Sequence, residues 1–114
     1  KADSRFEIFH RPFGDLAQVL DGKQVDGVLL DLGVSSPQLD EQRRGFSYSQ
    51  DGPVDFRMNP KQGIPAAEWL QQVRGEELAW VIHKYGEDAI LSARISEAIL
   101  EDQRIYGPFQ STLR

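Results

Sequence analysis

A short apolar run between turn-forming residues constrains the fold of this chain more than any other feature. The run is Val28-Leu29-Leu30, with Asp26-Gly27 before it and Asp31-Leu32-Gly33 after it. An uninterrupted apolar stretch of this length between turn residues is typical of a strand that is buried on both faces, as in a parallel sheet. We therefore predict a strand that ends near Leu32.

The residues before this run predict the other two elements of a βαβ unit. In residues 5–10, Phe6 and Ile8 alternate with polar side chains, which is the pattern of a strand. Residues 16–20 follow Gly14-Asp15 and suit a short helix that begins with Asp15 as its N-cap. Because two parallel strands need a crossover between them, residues 5–32 predict an α/β fold with one βαβ unit.

Segment 33–63 is rich in glycine and proline and shows no regular period. Asp51-Gly52 and Asn59-Pro60 are turn signals. Loops of this length in compact domains tend to be functional or disordered. This one is too apolar for a solvated linker, since it contains Phe46, Tyr48, Val54, Phe56 and Met58. We therefore predict a packed loop that faces a ligand.

The last third of the chain predicts three helices, over residues 65–73, 76–86 and 87–104. In the third helix, apolar residues at helical spacing predict the buried face: Leu91, Ile95, Ala98 and Ile99. Trp69 and Trp80 lie on apolar helical faces and are predicted to be core residues.

Composition excludes several kinds of site. The 114 residues suit one ordinary domain, and 13 Lys and Arg against 18 Asp and Glu give a net charge of −5. A net-acidic chain is not expected to bind nucleic acids nonspecifically along their phosphates, although it can hold a local RNA-facing patch. Without cysteine there is no thiolate zinc site. His10 and His83 form no i, i+4 pair, so we predict no metal site.

The end of the predicted second strand is the first candidate site. Open α/β sheets bind ligands beyond the carboxyl ends of their strands. There, Asp31 supplies a carboxylate, Ser35 and Ser36 supply hydroxyls, and Gln38 supplies both a donor and an acceptor. The residues alone leave an alternative open, in which Asp31 caps a turn and the serines cap a helix.

A second candidate site lies in the loop, where cations alternate with aromatic residues. Such residues can hold a phosphate backbone and stack a base. They are Arg43, Arg44, Phe46, Tyr48, Phe56, Arg57 and Lys61. In the alternative interpretation, which the residues alone favour, the aromatic rings fold the loop and the charges are solvated.

Three runs of residues resemble the ribosomal RNA small-subunit methyltransferase H family, also called MraW. They are Asp26-Gly27-Val28-Leu29-Leu30-Asp31-Leu32-Gly33-Val34-Ser35-Ser36-Pro37-Gln38-Leu39-Asp40, Arg44-Gly45-Phe46-Ser47 and Asp51-Gly52-Pro53-Val54-Asp55-Phe56-Arg57-Met58. Ala66-Ala67-Glu68-Trp69-Leu70 and Tyr85-Gly86-Glu87 continue the likeness, which covers nearly the whole chain.

The resemblance implies an activity and a set of cofactor contacts. This family transfers a methyl group from S-adenosylmethionine to N4 of a cytidine in 16S rRNA, in the cytoplasm. The matching positions imply that Phe13 packs on the adenine and that Asp31 and Gln38 also contact the cofactor. Asp31 is the candidate catalytic residue, and Phe46 or Tyr48 is a candidate to stack the target base.

The resemblance also implies a Rossmann-like methyltransferase sheet with an inserted helical domain. We expect residues 1–64 to be part of the methyltransferase domain and residues 65–114 part of the substrate-recognition insert. The family's glycine-rich first motif is not among these residues, so we expect a fragment that is inactive by itself. Phe56-Arg57-Met58-Asn59 stands where the family commonly has Met-Arg-Met-Asp.

The expected partner is small-subunit ribosomal RNA or the assembling 30S subunit, and no membrane. The RNA-facing residues implied in this setting are Arg43, Arg44, Phe46, Tyr48 and Arg57. We also expect the fragment to self-associate through exposed strand edges. Two alternatives remain: a non-catalytic RNA-binding or interaction domain derived from this family, and a different α/β enzyme that uses Asp31 as a base.

Overall fold

The computed structural model describes residues 3–86 and 88–114, and their regular structure is helical. Five α-helices lie within these described ranges: α1 (Leu16–Leu20), α2 (Ser36–Asp40), α3 (Ala66–Gln72), α4 (Gly75–Tyr85) and α5 (Ala89–Tyr106). Two 3₁₀ turns, Phe13–Asp15 and Gln42–Arg44, precede α1 and follow α2. The chain divides into two compact units, of which one ends at Leu32 and the other begins at Gly33.

The prediction of an α/β fold is wrong, because the described residues contain no β-strand and no Rossmann-like sheet. Residues 5–10 and 28–32 are irregular, and Leu29 at the centre of the apolar run is 96% exposed. A parallel strand is stable only when neighbours satisfy its backbone and both of its faces are covered. The apolar pattern indicates that residues 28–30 would be stable in such an environment. Residues 5–10 and 28–32 do not provide that environment for each other. Because the part of the chain that the structure describes forms no strand, it also lacks the strand edges that we expected to drive self-association.

Local signals did predict helices α1, α3, α4 and α5. Helix α1 begins after Asp15 and ends at Leu20, and its C-cap is Asp21, whose φ of 47° is left-handed. Helices α3 and α4 confirm the predicted helices over residues 65–73 and 76–86. The third helix is also confirmed, although its predicted first residue, Glu87, lies outside the described residues. Its N-cap is Asp88, whose carboxylate accepts hydrogen bonds from the N–H groups of Ile90 and Leu91.

Segment 33–63 is not wholly irregular, because it contains α2. Ser35 is the N-cap of this helix, and Gln38 is the third residue of a capping box. The interpretation of Ser35 as a helix cap is therefore confirmed. The wider loop is folded, as predicted, and Val54 is one of its buried side chains.

The predicted buried face of α5 is wrong in register. Helices α4 and α5 pack together, and the most buried residues of α5 are Ser92 and Ser96, at 1% and 2% exposure. The Ser96 hydroxyl donates a 2.8 Å hydrogen bond to the Gly75 carbonyl. Small side chains allow this close approach of the two helices, while Leu91 and Ile95 remain exposed.

The prediction that Trp80 is a core residue is also wrong. Its side chain is 54% exposed, and the Lys84 ammonium lies 4.6 Å from the centre of the ring. Trp69 is half-buried. The apolar character of a helical face therefore overestimated how deeply its tryptophan is buried.

Candidate functional site

In the first unit, Phe13 lines an apolar cavity of about 250 Å³. Pro12 leads into the 3₁₀ turn that carries Phe13, so the ring is presented just before α1. Val28 and Leu30 also line this cavity. Asp31 follows Leu30 directly and is exposed. The first unit therefore combines an apolar pocket that has an aromatic ring in its wall with an exposed carboxylate, which is next in sequence to the lining residue Leu30.

In the second unit, Gln38 is held at both ends of its amide. Its Oε1 accepts a hydrogen bond from the Ser35 N–H at 2.7 Å and lies 3.2 Å from the Ser35 hydroxyl. Its Nε2 lies 3.4 Å from the sulfur of Met58. Gln38 is thus a helix-capping residue and, at the same time, a link between α2 and the loop that contains Met58.

Arg44 ties two parts of that loop together. Its Nη2 donates hydrogen bonds to the carbonyl oxygens of Arg57 and Met58, each at 3.0 Å. The Arg44 carbonyl in turn accepts the Phe56 N–H at 3.3 Å. We call residues 42–58, which these bonds close on themselves, the clamp loop.

A bidentate ion pair joins Arg57 to Asp55 within the clamp loop. The guanidinium bonds both carboxylate oxygens, with Nε to Oδ1 at 2.7 Å and Nη2 to Oδ2 at 2.8 Å. Both side chains are largely buried. These hydrogen bonds from Arg57 hold the pKa of the Asp55 carboxyl below its ordinary value. The bidentate geometry fixes the direction in which the chain enters Met58.

A close backbone approach also shapes the clamp loop. Gly45 has a φ of 73°, and a Cβ atom at this position would lie 2.1 Å from the Pro53 carbonyl oxygen. The C-terminal residues support the same region from outside. The Ser111 hydroxyl donates to the Asp51 carboxylate at 2.6 Å, and the Thr112 N–H donates to the Gly52 carbonyl at 2.9 Å.

The residues predicted to face RNA fall into two groups. Arg44, Phe46 and Arg57 are engaged inside the clamp loop, where the Phe46 and Phe56 rings lie 6.2 Å apart. Arg43 and Tyr48 point away from it: the Arg43 side chain is 88% exposed, with a 3.3 Å contact to Glu41, and Tyr48 is exposed. The aromatic rings that fold the loop fit the alternative interpretation of this segment.

The structure therefore places Phe13 and Asp31 in the first unit and Gln38 in the second. Within the second unit it connects Gln38 to Arg44 and Arg57 through Met58. Residue types alone did not indicate Met58 as a partner, because the sulfur of methionine is a weak acceptor and methionine is usually a packing residue.

Residues 3–86 and 88–114 lack two further kinds of feature. They contain no cluster of three or more His, Asp or Glu side chains that could hold a metal ion. Within the same ranges, each helix is too short or too polar to cross a membrane.

Comparison with known proteins shows a family that matches this chain and a relative that is similar to it. A sequence model of the MraW methylase family matches residues 1–114. The chain is also 50% identical, over 114 residues, to a protein from Idiomarina loihiensis named ribosomal RNA small subunit methyltransferase H. That alignment covers 96% of this chain and 36% of the relative, so the chain spans about a third of the relative's length.

Proposed function

This chain belongs to the MraW methylase family, and on that premise we propose that it is part of an enzyme that methylates ribosomal RNA. The observation that carries this proposal is the family match over all of residues 1–114, and the name of the Idiomarina loihiensis relative supports it. The methyl acceptor in this proposal is N4 of a cytidine in 16S rRNA, and the donor is S-adenosylmethionine.

The side chains of each unit suit the cofactor. Phe13 stands on an apolar cavity wall, where an aromatic ring can pack against a purine. Gln38 offers a polar amide for the methionine part, and Asp31 offers an exposed carboxylate. When bound, S-adenosylmethionine supplies a methyl group on a positively charged sulfur. The proposed role of Phe13, Asp31 and Gln38 is to hold and orient the cofactor.

Asp31 is the residue that we propose at the reacting amine. The lone pair of cytosine N4 is delocalised into the ring, so the amino group must be positioned to react. A carboxylate accepts hydrogen bonds from such an amino group. The base itself must leave its stack, and the exposed ring of Tyr48, or the ring of Phe46, is proposed to support it.

RNA contact in this proposal comes from the clamp loop and from the helical residues that follow it. Arg43 and Tyr48 are exposed and so are available to phosphate and base. Arg44, Phe46 and Arg57 shape the loop that presents them. We propose residues 1–64 as the methyltransferase part and residues 65–114 as the RNA-recognising part, acting on 16S rRNA or the assembling small subunit in the cytoplasm.

A methylation assay tests the proposal. The assay uses the longest natural protein that contains residues 1–114, which we call the full chain. It is incubated with 16S rRNA and S-adenosylmethionine. The digested RNA is then examined by mass spectrometry for N4-methylcytidine. We expect the product with the full chain and none with residues 1–114 by themselves, which match only 36% of the relative.

Asp31→Ala in the full chain should reduce the rate at least tenfold, since a charge-assisted hydrogen bond contributes about 1.5–3 kcal/mol. Its circular dichroism should be unchanged. A full chain that binds 16S rRNA and transfers no methyl group would refute the proposed methyltransferase activity. That result would favour the alternative of a non-catalytic RNA-binding domain.

A further inference from the structure

The amide of Gln38 has one hydrogen-bonding position left. Its oxygen is occupied by Ser35, and one N–H of Nε2 is directed to the Met58 sulfur. A primary amide carries two N–H donors. In the part of the chain that the structure describes, the second N–H of Gln38 has no partner. The amide is therefore oriented as a donor, and it suits an acceptor atom of a ligand.

The position of the Met58 sulfur depends on Arg44. One guanidinium nitrogen donates hydrogen bonds to the carbonyl oxygens of Arg57 and Met58, which flank the Cα atom of Met58, each at 3.0 Å. The ion pair of Arg57 with Asp55 fixes the preceding residue. Met58 thus reaches Gln38, 20 residues away in sequence, from a backbone that Arg44 holds in place.

We propose that Arg44 and Met58 are positioning residues that hold the Gln38 amide so that its remaining N–H bonds an acceptor in the methionine part of S-adenosylmethionine. This inference rests on the proposed function and adds to it a path from the clamp loop to the cofactor. Neither residue touches the cofactor in this account. Arg44, which the sequence suggested as an RNA contact, acts here on cofactor affinity.

Binding of the cofactor and of one analogue distinguishes a positioning role from general support of the fold. S-adenosylmethionine has the methionine part, and 5′-methylthioadenosine lacks its carboxylate and amine. Losing the orientation of Gln38 should weaken only the first ligand. Disturbing the fold should weaken both.

The test is isothermal titration of the full chain with each ligand. The variants are Arg44→Ala and Met58→Leu, and the matched control is Arg43→Ala, because Arg43 is the adjacent arginine and its side chain is exposed. We expect each of the first two variants to weaken S-adenosylmethionine binding about fivefold or more, the effect of one hydrogen bond. Binding of 5′-methylthioadenosine should stay unchanged, and the control should match the wild type for both ligands.

Three results would overturn the inference: equal losses for both ligands, no loss in Met58→Leu, or the same loss in Arg43→Ala. If Arg44→Ala does not fold, Met58→Leu decides, because leucine keeps the side-chain volume while removing the sulfur. A wild-type full chain that binds no S-adenosylmethionine would refute the proposed function itself. A wild type that binds it, with an unaffected Met58→Leu, would refute only the positioning role.

Discussion

Replacing Gly45 by alanine tests whether the clamp loop closes as the structure describes it. The new Cβ would lie 2.1 Å from the Pro53 carbonyl oxygen and 2.9 Å from the Asp55 nitrogen. Both neighbours are backbone atoms, so they cannot move aside as a flexible side chain would. Gly45 also has a φ of 73°, which is unfavourable for alanine.

Two other glycines separate these effects. Gly63 has a similar φ of 70°, and an added Cβ would meet nothing within 4 Å. Gly52 lacks a positive φ, and its Cβ would lie 2.1 Å from the Gln42 carbonyl oxygen. A left-handed backbone costs about 1–2 kcal/mol for a residue with a Cβ, and overpacking typically costs about 1–3 kcal/mol. Gly63→Ala should therefore lose about 1–2 kcal/mol, and Gly45→Ala about 2–5 kcal/mol.

Urea unfolding followed by tryptophan fluorescence measures these differences. Trp69 and Trp80 lie in the same compact unit as the three glycines, so they report on the affected part of the chain. We expect the free energy of unfolding to fall least in Gly63→Ala and most in Gly45→Ala, with Gly52→Ala between them or close to Gly45→Ala. Equal losses in Gly45→Ala and Gly63→Ala would show that the backbone does not approach Gly45 closely.

Three further predictions concern charge and exposure. Because the Arg57 hydrogen bonds lower the pKa of folded Asp55 below its ordinary value of 3.8, the pair stabilises the fold above that pH. This stability is lost as the pH falls through the lowered folded pKa. The difference in unfolding free energy between wild type and Asp55→Asn should therefore shrink in acid below pH 3.8, and a difference independent of pH would contradict this account. Arg43→Glu in the full chain should reduce the salt slope of RNA binding by roughly one unit, whereas Arg5→Glu, at a similarly exposed arginine, should not. Equal salt slopes for the two variants would indicate that Arg43 is a solvated residue that does not contact phosphate. Residues 1–114 should self-associate in light scattering through exposed apolar residues, and Leu29→Asp should reduce this, while a wild type that stays monomeric at high concentration would refute it.

The sequence by itself determined helices α1, α3, α4 and α5, because their signals are local. A capping residue, an acidic first turn and a terminal glycine act within a few positions of one another. Asp15, Glu76-Glu77 and Gly107 therefore placed helix ends to within a residue or two. The same local logic offered Ser35 as a helix cap in one of two open interpretations, and the runs of motif residues identified the family.

Tertiary structure decided what depends on partners distant in sequence. A strand needs neighbours that an apolar run such as Val28-Leu29-Leu30 cannot supply, so the pattern alone predicted a sheet that is not present in the described residues. The buried face of α5 follows Ser92 and Ser96, because close packing against α4 favours small side chains over the apolar stripe.

The candidate site shows the same division. The sequence indicated Gln38 and Arg44 as residues with functional chemistry, but it assigned Arg44 to RNA because a cation beside an aromatic ring has no local partner in the sequence. Only the folded chain brings Met58 to Gln38 and directs the Arg44 guanidinium to two backbone carbonyls. Hydrogen bonds between residues that are 13 to 20 positions apart depend on the path of the backbone. That path cannot be inferred from the types of the individual residues.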